Sequence, residues 1–209
     1  MERETRDQSN SKIWHDLRKV RLTASNFGKI MNRKVKPTEA FLEDLFNRKS
    51  KFAVSLEYGK RKEVFGKEKY LEQNPSSHLH ECGFVINKEF TFLGATPDVI
   101  VCSNSKCGLL EIKCPYSARN MSISQACADI TGFYLKHSEN GIALDRRHNY
   151  YAQVQGQLMI TGCNFCEFVV YTQKDLYIER ITPDIQFMAI MLEKLADFYQ
   201  FYGVPYLTS

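Results

Sequence analysis

Asp98 closes the run Gly94-Ala95-Thr96-Pro97-Asp98, and thirteen residues later comes Glu111-Ile112-Lys113. In a strand alternate side chains share a face, so Glu111 and Lys113 project together while Ile112 points into the opposite layer. An acid then stands beside a base. If the strand carrying Asp98 pairs with the strand carrying Glu111, two carboxylates converge on one spot with an ammonium next to them. Such a pair needs a compensating cation, and hard oxygen ligands suit Mg²⁺ or Mn²⁺. The chemistry served is phosphodiester hydrolysis: the metal polarises the phosphoryl oxygen and acidifies a bound water, while Lys113 orients that water or meets developing charge. Taken singly, each element has a plainer reading, since an exposed Glu-x-Lys pair contributes little and Pro-Asp is a common turn. Context decides, because Leu109 to Pro115 reads LLEIKCP, with apolar neighbours on both faces, where a charged pair is costly unless used.

These residues need a scaffold. Residues 11–50 read as helical, with Thr38 capping TEAFLEDLFNR, acidic early at Glu39, Glu43 and Asp44 and basic late at Arg48 and Lys49. A second long helix is predicted from Ser55 to about Gln73, with Leu56, Phe65 and Leu71 among its apolar positions and Asn74-Pro75 as its stop. Between His80 and Pro115, runs such as Val85-Ile86, Val99 to Val101 and Leu109 to Ile112 are strand-like and broken by Asn, Gly and Pro. A looser stretch follows, then a helix from Tyr150 to Ile160. A hairpin pairs Glu167–Tyr171 with Leu176–Ile181, and an amphipathic helix runs from Pro183 to about Tyr202. With no internal repeat, this order predicts an α/β (α+β) fold, a central mixed β-sheet flanked by helices.

The 209 residues fit one domain, 1–209, with 1–12 as a flexible N-terminus. A chain that is 44% hydrophobic and 25% charged, with 11 Gly and 6 Pro, is neither disordered nor collagen-like. The net charge of +4 conceals an asymmetry: residues 1–72 carry 18 Lys and Arg against 11 Asp and Glu, and residues 73–209 carry 10 against 13. A basic first third points to a polyanionic partner. The polar start MERETRDQSN and a longest apolar run of only Phe187 to Leu192 predict neither a secretory signal nor a membrane span. Seven cysteines, Cys82, Cys102, Cys107, Cys114, Cys127, Cys163 and Cys166, read as reduced, buried thiols of an intracellular protein. Cys163-x-x-Cys166 lacks the second ligand pair of a zinc site and reads as core.

Four blocks fall in order: Trp14-His15-x-Leu17-Arg18 with Thr23-Ala24-Ser25; Tyr58-Gly59-Lys60-x-x-Glu63; Thr96-Pro97-Asp98 with Leu110-Glu111-Ile112-Lys113-Cys114-Pro115; and Tyr151-Ala152-Gln153-Val154-Gln155. Together, over residues 14–160, they resemble the lambda-exonuclease and YqaJ-type viral recombinase branch of the PD-(D/E)xK nuclease superfamily. The resemblance implies a restriction-endonuclease-like core and a Mg²⁺-dependent deoxyribonuclease that digests one strand of linear duplex DNA from 5′ to 3′, releasing 5′-mononucleotides. It implies that Asp98, Glu111, Glu63 and the Ile112 backbone carbonyl hold two Mg²⁺ ions, with Mn²⁺ as a substitute. Lys113 would assist the water, Gln153 would position it or the scissile phosphate, and Arg18, Ser25 and Thr96 would grip the terminal 5′-phosphate. Thr96 stands where the phage enzyme has Ser. The implied partners are double-stranded DNA ends, a single-strand annealing protein and further copies of the chain in a trimer. The implied setting is end resection for recombination or viral DNA processing, in the cytoplasm or a host nucleus.

The residues themselves leave more open. Glu63 alone is a surface acid among Lys60, Arg61, Lys62 and Lys67, and only the resemblance lifts it into the site. Gln153 and Gln157 share a helical face by i,i+4 spacing, and neutral amides can hold a phosphate or a water; the resemblance carries over Gln153 alone. Arg18 and Ser25 bracket a short connection, where an Arg fork and a hydroxyl at a helix start suit a phosphate, and Ser25 as an N-cap is compatible with that. Trp14 reads as helix packing. The 116–149 segment, with Lys136, His137, Arg146, Arg147 and His148, is either a DNA-contacting loop or a disordered insertion. An endonuclease, a DNA-end-binding module without turnover and RNA as substrate stand as alternatives.

Overall fold

The structure, a computed structural model, describes residues 1–47, 53–139 and 141–209. Helices α1 (Lys12–Lys19), α2 (Ala24–Met31) and α3 (Glu39–Phe46) precede the long α4 (Val54–Gln73), with a two-residue strand β1 (Leu22–Thr23) between α1 and α2. The short connection expected between Arg18 and Ser25 is present and holds a strand that was not expected, because Leu22 and Thr23 pair in parallel with Leu93 and Gly94, a tertiary contact that local propensity does not carry. Thr38 caps α3 as expected, accepting from the Phe41 amide at 3.3 Å. Arg48 and Lys49 lie outside the described residues.

Strands β2 (His78–Glu81), β3 (Val85–Ile86), β4 (Leu93–Ala95), β5 (Val99–Ser103) and β6 (Lys106–Lys113) follow. Next come α5 (Ile123–Asp129), β7 (Leu135–Ser138), β8 (Gly141–Leu144) and α6 (Asn149–Thr161). The chain closes with β9 (Cys166–Tyr171), β10 (Leu176–Ile181), α7 (Ile185–Phe198), a π-helical turn Tyr199–Gly203 and α8 (Val204–Thr208). The main sheet has the order β10-β9-β6-β5-β2, parallel only between β6 and β9, and a smaller sheet has the order β1-β4-β3. This is the expected mixed sheet flanked by helices.

Strand β6 is buried on both faces, as its LLEIK run requires. Leu109 joins Val154 and Leu158 of α6 and Phe168 in one core, while Leu110 and Ile112 join Tyr58 and Tyr70 of α4 and Val169 in another. Helix α2 crosses α6 closely because Gly28 has no side chain: a Cβ there would lie 2.3 Å from the Asn149 Cα. Residues of the 1–12 segment contact the segment around Gly83. Thr5 is fully buried, its hydroxyl accepting from the Phe84 amide at 2.8 Å, while Glu2 accepts from the Gly83 amide at 2.8 Å and Gln8 donates to the Cys82 carbonyl at 3.0 Å. The cysteine reading needs correction. Cys102 and Cys107 face each other across the β5–β6 hairpin and form a disulfide, since the ladder register brings their Cα atoms to 4.1 Å. The other five cysteines are unpaired. Among the described residues, no helix is long and apolar enough to cross a membrane.

Candidate active site

The β5–β6 ladder pairs Val99 with Leu110, and this register brings Asp98, one residue earlier, opposite Glu111. The Ile112 amide donates to Asp98 Oδ2 at 2.7 Å, tying the two strands at that point. Glu111 is only 2% exposed, on the α6 side of β6. Three donors reach it: Lys113 Nζ at 2.6 Å and Gln153 Nε2 at 2.5 Å meet Oε1, and Gln157 Nε2 meets Oε2 at 2.7 Å. Lys113 Nζ also donates to Gln153 Oε1 at 3.4 Å and lies 4.4 Å from the centre of the Tyr150 ring. The α6 start that supplies these side chains is capped by His148, whose Nδ1 accepts from the Tyr150 amide at 3.1 Å.

Burial and charge act strongly on this cluster. Burial above all, then the charges of Glu111 and Glu63, hold the Asp98 carboxyl well above the usual range. Burial opposes the charge of Lys113, but Glu111 and Asp98 outweigh it and push the ammonium pKa up. Lys113 is therefore a fixed cation at neutral pH. The Cys114 thiol, pushed up to about 12 by burial and by Glu63 and Asp98, is no nucleophile at that pH.

Asp98, Ile112 and Lys113 open into a cleft of about 310 Å³, walled by Gly59, Lys60 and Glu63 of α4 and by Tyr134 and Tyr150. Helix α4 approaches β6 closely because Gly66 lies flat on Ile112, where a Cβ would meet Ile112 Cγ2 at 2.8 Å. Glu63 thus reaches the cleft as the resemblance implied, but it pairs with Lys67 at 2.7 Å. Among the described residues no group of three or more His, Cys, Asp or Glu side chains is placed to hold a metal ion by itself. What the site offers is Asp98 and Glu111 at opposed strand positions, Glu63 near enough for its charge to act on Asp98, and the backbone of Ile112 on the cleft wall. That donor set fits a hard divalent cation.

The residues expected at a terminal phosphate form a second group. Trp14 Nε1 donates to Thr96 Oγ1 at 3.0 Å, and the Arg18 guanidinium stacks on the Trp14 ring at 4.1 Å, so Trp14 joins Arg18 to Thr96. Ser25 is exposed inside the first turn of α2 and is not its cap; its hydroxyl lies 3.2 Å from that of Thr23. Thr23 pairs with Gly94, so Ser25 and Thr96 leave the ends of adjacent parallel strands. The described residues of the 116–149 segment form regular elements. It holds α5 and the β7–β8 hairpin, with Arg147 on Asp145 at 3.3 Å and Arg146 on Asp184 at 3.6 Å. Sequence reading missed Tyr150, an aromatic that looks like ordinary core at a helix start. It noted the spacing of Gln157 without assigning it to the site.

Residues 13–164 match the model of the YqaJ-like viral recombinase domain. The chain belongs to that family. No curated protein matches it. Among solved structures, this family member is similar in fold to the alkaline exonuclease LHK-Exo from Laribacter hongkongensis, with a TM-score of 0.69 and 18% identity over 95% of each chain. LHK-Exo in complex with dAMP gives 0.72 and 20%, again over 95% of each chain. The Shutoff and Exonuclease Protein from Kaposi's sarcoma associated herpesvirus gives 0.64 and 13%, over 98% of this chain and 72% of that one. The family and the shared fold agree with the resemblance carried by the four sequence blocks.

Proposed function

We propose that this chain is a Mg²⁺-dependent deoxyribonuclease that degrades one strand of linear double-stranded DNA from a 5′-phosphate end, releasing 5′-mononucleotides. The observation that carries the reading is the cluster of Asp98 and Lys113 on the wall of a cleft with, behind them, the buried Glu111, bonded to Lys113 and braced by two glutamines. Asp98, Glu111, the Ile112 carbonyl and, from across the cleft, Glu63 would hold Mg²⁺ or Mn²⁺, two ions per site. Bound there, the metal would polarise the phosphoryl group and acidify the attacking water. Lys113 places its ammonium where it can orient that water or meet charge building on the phosphorane. Attack at phosphorus breaks the bond to the O3′ of the terminal nucleotide, which takes up a proton, and leaves a 5′-phosphate on the next residue. Gln153 sits between Glu111 and Lys113 and positions the water or the scissile phosphate. Arg18, Ser25 and Thr96 grip the terminal phosphate.

The similar structures support this assignment. LHK-Exo was solved with dAMP, a 5′-mononucleotide, and a further protein of similar fold, the herpesvirus protein named SOX, was solved in separate complexes with DNA and RNA. A trimer of this chain and a single-strand annealing partner, working in end resection, belong to the same proposal. The test is incubation with linear duplexes bearing 5′-phosphate or 5′-hydroxyl ends, with closed circular DNA and with RNA, each in Mg²⁺ or EDTA. Mg²⁺-dependent release of mononucleotides from phosphorylated linear ends is expected. Equal cutting of closed circles would replace the exonuclease with an endonuclease, and preference for the RNA would change the substrate class. Lys113→Ala should lower kcat about 10²- to 10³-fold; full activity in that variant would remove Lys113 from the chemistry.

A further inference from the structure

We infer that Gln157 is a positioning residue for Glu111 and sets how tightly the site holds its divalent cation, an inference that rests on the metal reading above. Gln153 and Gln157 lie one turn apart on α6, and from that single rigid element they hold both oxygens of the Glu111 carboxylate. A carboxylate offers roughly four lone-pair directions. With two donors on Oε1 and one on Oε2, Glu111 keeps room for one further partner. Without Gln157 the Oε2 side would be unrestrained, and the carboxylate could turn within its socket.

The environment of Gln157 argues against a role in packing alone. It is 1% exposed, and its own Oε1 is buried without a hydrogen-bond partner among the described residues. An unpaired buried amide oxygen is destabilising, so packing alone would favour an apolar side chain of the same length. The position tolerates the unpaired oxygen while the other end of the amide fixes Glu111. Gln155 provides the contrast. It is equally buried on the same helix, but its Nε2 donates to the Thr182 carbonyl at 3.0 Å and its Oε1 accepts from the Asp184 amide at 2.9 Å, a fully paired structural role.

Groups that orient a metal ligand contribute about 10- to 100-fold in metal affinity. The test is calorimetric titration of Mn²⁺ into the full chain without DNA, alongside thermal melts, for the wild type, Gln157→Met, Gln155→Met and Asp98→Asn. Gln157→Met should bind Mn²⁺ about 10- to 100-fold more weakly with little change in melting temperature. Gln155→Met should melt earlier yet bind Mn²⁺ as the wild type does, and Asp98→Asn should lose binding. Wild-type affinity in Gln157→Met, with binding lost in Asp98→Asn, would overturn the positioning role and leave the metal site standing. An equal loss of affinity in both glutamine variants would overturn it too, as a helix-wide effect. Undetectable binding to the wild type, or undiminished binding to Asp98→Asn, would overturn the metal reading and this inference with it. Should Gln157→Met fail to fold, Gln157→Asn, one methylene too short to reach Glu111, carries the same expectation.

Discussion

Lys113 is confined by Glu111, by the Gln153 amide oxygen and by the face of Tyr150, so its ammonium has a fixed aim before any substrate arrives. A cation over an aromatic face gains about 0.5–2 kcal/mol, more as water is excluded. Tyr150→Phe keeps that face and should retain kcat, whereas Tyr150→Leu should lower it several-fold; steady-state kinetics on a 5′-phosphorylated duplex would check both. Equal activity in the two variants would make the ring a bystander. At this scale the sequence was legible where period and chemistry coincide: Glu111 and Lys113 alternate on a strand, and Asp98 needed only the pairing of its neighbour. Tyr150 was illegible because its role depends on where Lys113 points, which no local pattern encodes. Gln157 was half legible: its spacing put it on the right face, but nothing in the sequence tells which buried carboxylate that face meets.

Helix α6 delivers Gln153, Gln157 and Tyr150 together, so whatever holds its start also holds the site. His148 caps that start as a neutral acceptor. Burial lowers its pKa below the ordinary 6.5, with Lys113 and Lys136 adding to the effect and Asp145 opposing it. A lowered native pKa means that the unfolded chain takes up the proton first. The stability from this group is therefore present above about pH 6.5 and lost as pH falls through the native value. Losing the cap costs about 1 kcal/mol, or roughly 2–4 °C in a chain of this size. His148→Asn keeps a capping oxygen at every pH and should remove that part of the drop in melting temperature between neutral pH and about pH 5. Gly28 sets the other constraint on α6. Gly28→Ala would press a methyl into the Asn149 backbone and should cost about 1–3 kcal/mol in denaturant unfolding. Capped helices and alternating strands were readable ahead of the structure. The β1–β4 bridge and the Cys102–Cys107 pair were not, because each is fixed by register between distant or folded-back segments.

At the scale of the whole molecule the basic first third contributes at two places: α4 brings Lys60 to the cleft wall, and α1 brings Arg18 to Thr96 through Trp14. A net charge of +4 is modest for a nucleic-acid enzyme, so placement must supply what the total does not. DNA affinity should fall with salt along a linear double-logarithmic plot. Lys60→Ala should weaken all sequences alike and flatten the slope by about one, as fluorescence anisotropy over a salt series would report. The tight turn at Asn104 and Ser105 governs more than local shape. Because Ser103 pairs with Lys106, opposed residues along the ladder out to Asp98 and Glu111 differ in number by odd steps. A one-residue slip of that register, as would follow if a residue were gained while the turn stayed two residues long, would rotate Glu111 and Lys113 to the α4 side and dissolve the site. Both turn residues have positive φ, 49° at Asn104 and 60° at Ser105, so few residue types suit this turn, and any change of length that spares the site must keep Ser103 opposite Lys106.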